Sequence, residues 1–224
     1  MSDESSLRED ITGNMYTDLG ATTKEAFQIS ETSRRMARKQ LGDRNYEDRI
    51  RQRCSIAVGD FAMAPLLRFM HDPVHAGLKA LKEKATIITD IRMVQVGIQK
   101  RGHQSEVLCS LDYAGAATEL GITRSRAGII SLTGKIDGSI VVIGNAPSAL
   151  LSLCDLIREG HRPALVIGTP VGFVNAAESK ELLRTLPVPS ISNEGTRGGT
   201  PVAVAAVNEI ITIYAENTSR DERR

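Results

Sequence analysis

From Ala85 onward, short apolar runs rich in β-branched residues alternate with longer stretches whose apolar positions recur at helical spacing. The runs Ala85–Asp90, Val107–Leu111, Ile140–Ile143, Ala164–Ile167 and Val188–Ser192 read as strands. Helices are expected at Tyr113–Leu120, at Arg124–Leu132 behind a Thr123 cap, and at Ser148–Glu159, Asn175–Leu186 and Pro201–Glu216. Upstream the pattern is helical throughout. Thr22 with Glu25 makes a capping box for a helix that passes Ile29 and Met36 and stops at Gly42. A second helix covers Tyr46–Ile56, and Asp72-Pro73 supplies the N-cap and first residue of a third, through Lys84. Residues 1–14 and 217–224 are polar and bury little, which predicts a single domain over 15–216 with flexible ends. Strands alternating with helices of this length form a mainly parallel sheet with right-handed crossovers. The expected fold class is therefore α/β: a three-layer sandwich, flavodoxin-like, preceded by N-terminal helices.

Three of the strands run into loops of one kind: Gly144-Asn145-Ala146-Pro147, Gly168-Thr169-Pro170-Val171-Gly172 and Asn193-Glu194-Gly195-Thr196-Arg197-Gly198-Gly199. In a parallel sheet such loops share the carboxyl edge, where free backbone N–H groups and helix N-termini collect anions. Arg197 adds a fixed, forked cation suited to carboxylate or phosphate. Glycines that merely form tight turns would explain any one of these loops. Three on one edge point to an anion-binding site.

Composition narrows the class. The chain has 224 residues, 41% hydrophobic and 25% charged, with a formal net charge of +1. That balance argues against nucleic acid as a partner, as do four Tyr, four Phe and no Trp to stack on bases. The apolar runs fall short of the roughly 18 residues a membrane span needs, and the acidic amino terminus is unlike a secretory signal. A cytoplasmic protein is expected. Three widely spaced cysteines, Cys54, Cys109 and Cys154, suggest buried thiols, neither a disulfide frame nor a metal cluster. His71 and His75 stand at i and i+4, a metal-holding spacing, but no third ligand lies nearby, and they read as exposed; His103 and His161 read as surface residues. No phosphate-binding P-loop, dinucleotide fingerprint or nucleophile elbow is present.

Longer words then become recognisable. Asp137 to Leu150 (DGSIVVIGNAPSAL), Pro163 to Val174 (PALVIGTPVGFV) and Ala177-Glu178-Ser179-Lys180 closely resemble the precorrin-8X methylmutase family. Thr89-Asp90-Ile91-Arg92-Met93-Val94, Gly121-Ile122-Thr123-Arg124 and Arg197 to Ala203 support the resemblance, which covers about residues 22 to 215. It implies an isomerase of corrin biosynthesis that moves a methyl group from C11 to C12 of a tetrapyrrole, needs no cofactor of its own, meets cobalt only within its substrate, and works as a homodimer. A macrocycle rimmed by acetates and propionates wants nests, helix N-termini and arginines. On that basis Asp60, Thr89, Arg92, Arg124, Gly144, Asn145, Gly168, Thr169, Gly172, Thr196, Arg197 and Gly198 are the implied substrate-binding residues.

The chain departs from the family pattern at one proposed site. The resemblance implies a proton-donating histidine in a word like Ile-His-Ala-Thr-Gly-Asp-Phe, and the matching segment here is Ser55-Ile56-Ala57-Val58-Gly59-Asp60-Phe61. Ile56 stands where the histidine would be, Val58 where a polar residue would be, and Ala26 before Phe27 replaces a serine. The alternatives are a non-catalytic tetrapyrrole binder, or an enzyme with another substrate on the same scaffold. Tyr113 or Asp60 would have to approach the ligand from a different direction.

Overall fold

The computed structural model describes residues 23–115, 117, 119 and 121–221; the expected cap Thr22 and the terminal segments 1–14 and 222–224 lie outside them. Five strands run parallel: β2 (Ile87–Thr89), β3 (Val107–Cys109), β4 (Ile140–Ile143), β5 (Leu165–Gly168) and β6 (Ser190–Asn193). A sixth strand, β1 (Leu67–Met70), pairs antiparallel with β6, giving the order β1-β6-β5-β4-β2-β3. Without β1 this is the flavodoxin-like order, with its reversal between β2 and β4.

Alternation along the buried strands sends their side chains to two cores. Ile87, Ile140, Val142, Leu165 and Ile167 face one layer; Ile88, Val141, Ile143 and Val166 face the other. The second layer holds α5 (Arg124–Ser131), α6 (Pro147–Arg158) and α7 (Ala176–Arg184). Against the first lie α2 (Tyr46–Val58), α3 (Pro73–Lys82), α4 (Arg92–Gly97) and α8 (Thr200–Asp221), while α1 (Lys24–Leu41) packs outside on α2. Nearly all of α8 from Val202 to Ile213 is buried and most of it is apolar, as befits a helix covered by sheet on one side and helices on the other.

Some local expectations shift. Thr23 caps α1, its hydroxyl accepting the Ala26 N–H at 3.2 Å. Residues 113–120 form no helix among the described residues; a 3-10 turn, Ser110–Tyr113, is followed by turns. Gly115 and the one-sided alanine cluster Ala114, Ala117 and Ala127 offer too little apolar surface to hold a helix there. α8 runs on past Glu216 to Asp221, because Arg49 draws Glu216 onto α2 with bonds of 2.7 and 3.0 Å. The Leu67–Met70 strand escaped the pattern because it is an edge strand made by pairing with β6, and the six-residue α4 because it is too short to show a period.

The amino-terminal helices are bolted to α8 by one carboxylate. Glu209 is fully buried and accepts from Arg34 on α1 and from Arg49 and Arg53 on α2; Arg53 also donates to Thr212 at 3.1 Å. Burial raises its pKa, but Arg34, Arg53 and Arg49 outweigh that and hold it below the ordinary carboxylate range. A depressed folded pKa makes the contribution complete above the unfolded value, about 4.3, and lost as pH falls through the folded one. Glu209→Gln should cost about 3–5 kcal/mol in urea unfolding at pH 7, because the buried carboxylate that Arg34, Arg49 and Arg53 share loses its charge. Its deficit against the wild type should shrink below about pH 4.

Candidate functional site

At the sheet's reversal point the loop after β4 was expected to present an open nest. The nest exists and is already filled. Asp90, directly after β2, accepts the N–H of Gly144 on Oδ1 at 3.1 Å and those of Asn145 and Ala146 on Oδ2 at 2.8 Å each. Its side chain is fully buried; burial pushes its carboxyl above the usual range, and the three N–H groups pull against that shift. The Gly144 backbone is thus closed to an outside anion, and Asn145 meets a ligand only through its exposed side chain. Gly144 is needed for clearance: a Cβ there would stand 2.9 Å from Ala203 and Val94 and 3.0 Å from the Cα of Thr200, where α8 begins.

The second and third loops lock onto each other. The Gly199 N–H donates to the Thr169 carbonyl at 2.7 Å, and the Gly172 N–H to the Thr196 carbonyl at 3.1 Å. Gly198, at φ 146°, passes so close that a Cβ would come within 2.4 Å of the same Thr169 oxygen. Gly168 is buried against Leu150 and Leu183, and Thr169 is fully buried, its hydroxyl without a hydrogen-bond partner among the described residues. What these loops offer outward is Thr196 and Arg197, both exposed. Arg197 reaches Asp60 Oδ2 at 3.1 Å, and Asp60 is fixed by accepting the Ala62 N–H at 2.8 Å. Residues 137 positions apart are thereby joined.

Across the reversal point stand the remaining candidates. Thr89 lies inside the sheet, its hydroxyl donating to the Leu108 carbonyl at 3.0 Å. Arg92 is exposed at the start of α4, paired with Asp112 and donating to Gln95 at 2.7 Å. Arg124 is exposed in the first turn of α5, whose cap Thr123 lies 2.8 Å from Ser148 on α6, so it flanks the Asn145 loop. Ile56 is half-buried in the last turn of α2, beside exposed Ala57 and Val58. A cavity of about 360 Å³ opens next to it, between α2, α4 and the start of α8, with Arg53, Ala57, Gly97, Gln99, Pro201 and Val204 among its walls.

The structure therefore gathers Asp60, Thr196 and Arg197 at one end of the edge and Arg92, Arg124 and Asn145 at the other, with the N-terminus of α8 between them. Thr89, Gly144, Gly168, Thr169, Gly172 and Gly198 build the frame beneath. The histidines stand apart. His75 pairs with Asp72 at 2.7 Å, His103 is half-buried and pins a loop by bonding the Gln99 carbonyl and the Ser105 N–H, and His161 lies against Asp137. No group of three metal-ligating side chains occurs among the described residues. Sequence reasoning passed over Arg53 and Asp90. Asp90 had a legible signal, a carboxylate at the end of an apolar strand; Arg53 had only its place three residues before Ile56.

The family profile of precorrin-8X methylmutase matches residues 28–213. The chain is 42% identical over 212 residues to the cobalt-precorrin-8 methylmutase of Methanocaldococcus jannaschii, a match that spans 89% of this chain and 99% of that one. It is 41% identical to the cobalt-precorrin-8 methylmutase of Priestia megaterium, over 87% of this chain and 91% of the relative. The structure of precorrin-8X methylmutase from Thermus thermophilus superposes with a TM-score of 0.78 at 38% identity, covering 85% of this chain and 97% of that one.

Asp90→Asn tests the filled nest. An amide offers one accepting oxygen to three N–H groups and turns its own N–H₂ toward at least one of them. The variant should lose about 2–4 kcal/mol in urea unfolding, and the amides of Gly144, Asn145 and Ala146 should exchange faster with deuterium.

Proposed function

The chain belongs to the precorrin-8X methylmutase family, and we propose from this that it acts as an isomerase of cobalamin biosynthesis, moving a methyl group from C11 to C12 of a precorrin-8 or cobalt-precorrin-8. The observation that carries the site assignment is the placement of Arg197 and Arg124 at opposite ends of one edge, both exposed, above a frame of interlocked loops. A tetrapyrrole bearing many acetates and propionates would lay those groups on the guanidiniums. Arg197 is held by Asp60 at 3.1 Å. A substrate carboxylate would displace an exposed ion pair, which is worth little, and gain a bidentate one.

Methyl migration of this kind is a sigmatropic shift, promoted by protonating a ring nitrogen and holding the strained ring in a reactive shape. Ile56 cannot supply that proton. In this chain the apolar end of α2 would press on the macrocycle face, and the proton would come from a different group or from water. A second reading, that the protein binds the tetrapyrrole without converting it, is favoured by the same residue. In either case the protein needs no cofactor of its own, cobalt arriving only with the substrate, and a cytoplasmic setting suits the role. Among the described residues no helix is long and apolar enough to cross a membrane. A homodimer is part of the proposal: Phe173 is 94% exposed and Val174 75% exposed, an apolar tip suited to cover by a second subunit.

Anaerobic incubation with cobalt-precorrin-8, followed by absorbance, should show conversion to the corrin chromophore. Tight binding of cobyrinic or hydrogenobyrinic acid without conversion would establish the second reading. Absence of any tetrapyrrole binding would sink both. Ile56→His should raise turnover while leaving affinity within about twofold, if residue 56 faces the ring. In titrations with hydrogenobyrinic acid, Arg197→Ala should weaken binding roughly tenfold, one charge-assisted contact. Asp60→Asn should tighten it by about two- to fivefold, the worth of the exposed pair it removes.

A further inference from the structure

Lys180 lies on α7 with its side chain wholly withdrawn from solvent, on the face that Ala176, Ser179 and Leu183 also bury. A buried ammonium ordinarily sits against a carboxylate, since its desolvation is otherwise uncompensated. No carboxylate forms an ion pair with Lys180 among the described residues. Its Nζ donates instead to the main-chain carbonyl of Arg197 at 2.6 Å and to Asn193 Oδ1 at 3.4 Å. The Asn193 amide, itself fully buried, donates to that same Arg197 carbonyl at 2.6 Å and to the Glu194 carbonyl at 3.0 Å. One peptide oxygen thus takes two hydrogen bonds, one from a full charge.

Backbone bonds at Thr196 and Gly199 tie the flanks of this segment to the Gly168–Gly172 loop, and the Lys180 ammonium holds the Arg197 peptide between them. Gly195, Gly198 and Gly199 all have positive φ, and nothing approaches within 4 Å of where a Cβ on Gly195 would stand. The side chains of Thr196 and Arg197 are exposed, so packing does not fix them. A methionine of similar length would fill the same space beside Leu183 without the cost of burying charge. The charge is therefore explained by the carbonyl it holds. Since Lys180 is shut off from solvent, it does not meet a ligand itself.

We propose that Lys180 is a positioning residue: its buried ammonium fixes the Arg197 peptide so that the guanidinium projects at the carboxyl edge in the orientation a ligand carboxylate requires, an inference that rests on the assignment of Arg197 to the substrate rim. The charged group facing it from its own helix is Arg184, which is in turn surrounded by Glu181, Glu194 and Arg68; from β6 and its loop it meets the neutral Asn193 side chain and the Arg197 carbonyl. Burial, with Arg184 adding a like charge, brings the Lys180 pKa down to about 8. The folded value is lowered, so the ammonium is present below about pH 8 and is lost as pH rises through it.

The test is a double-mutant cycle read by hydrogenobyrinic acid titration of the full chain, with Lys180→Met, Arg197→Ala and both together. Each single variant should weaken binding about five- to tenfold, and the double should be no weaker than Arg197→Ala by more than about twofold. Wild-type affinity should decline between pH 7 and pH 9, whereas Lys180→Met should be flat over that range. A purely structural lysine would give additive losses and leave the pH profile unchanged, and either result overturns the proposal, as does wild-type binding by Lys180→Met. If Lys180→Met does not fold, Lys180→Gln, which keeps a neutral donor, takes its place in the cycle under the same criteria. Should Arg197→Ala bind like the wild type, the rim assignment fails first, and that outcome is distinct from loss in Arg197→Ala with none in Lys180→Met.

Discussion

The three N–H groups that converge on the Asp90 carboxylate fix the point on which the rest of the carboxyl edge depends. At the reversal of strand order, β2 and β4 send their connections to opposite faces, and the crevice this leaves is where such sheets bind ligands. Here the protein places its own anion in that crevice. The loop after β4 is thereby tied to the strand beside it, and the clearance at Gly144 lets the first residues of α8 close over both. A ligand consequently finds the nest after β4 filled, and there its anionic groups must find side chains. Those on offer are the exposed guanidiniums of Arg197, Arg124 and Arg92.

A second buried ionic group acts farther along the helix that closes over the loop after β4. Glu209, in the middle of α8, draws in arginines from α1 and α2. The same α2 ends at Ile56 and hands the chain through Gly59 to Asp60, the partner of Arg197. Docking of the amino-terminal helices and the charge state of the rim are therefore mechanically connected. Displacing α2 would move Asp60 away from Arg197 and open the cavity walled by Arg53 and Ala57.

The parallel strands and the second-layer helices were legible because short β-branched runs alternate along the chain with stretches of helical period, and β4 and β5 run into glycine. Ile140–Ile143 is a buried four-residue run between Gly138-Ser139 and Gly144, and nothing but a strand fits there. Leu67–Met70 carries no such signature, because an edge strand's pairing with β6 is a tertiary fact. The rim was legible in part. Arg197 and Asn145 announce themselves by sitting in glycine-rich loops, but that the nest beside Asn145 is filled, or that Thr89 donates within the sheet, depends on which atoms meet across the fold. Lys180 is the plainest case: a lysine on an otherwise amphipathic helix reads as solvated until the turn of α7 carries it beneath the Arg197 loop.

Two of the rim arginines are paired with exposed carboxylates, Arg197 with Asp60 and Arg92 with Asp112. Such pairs contribute little to stability in water, so they are inexpensive to break. Their effect on binding is selective. A ligand with a neutral rim would have to leave the pairs standing or strand two carboxylates, whereas a polyanion exchanges one carboxylate for another and adds its ring face to the apolar end of α2. The end of α2 strengthens this contrast, because Ile56, Ala57 and Val58 present hydrocarbon there. On the proposed reading, recognition of a large, carboxylate-rimmed ring would fall to groups that remain in place, and the chemistry on that ring would need a proton that the end of α2 does not provide.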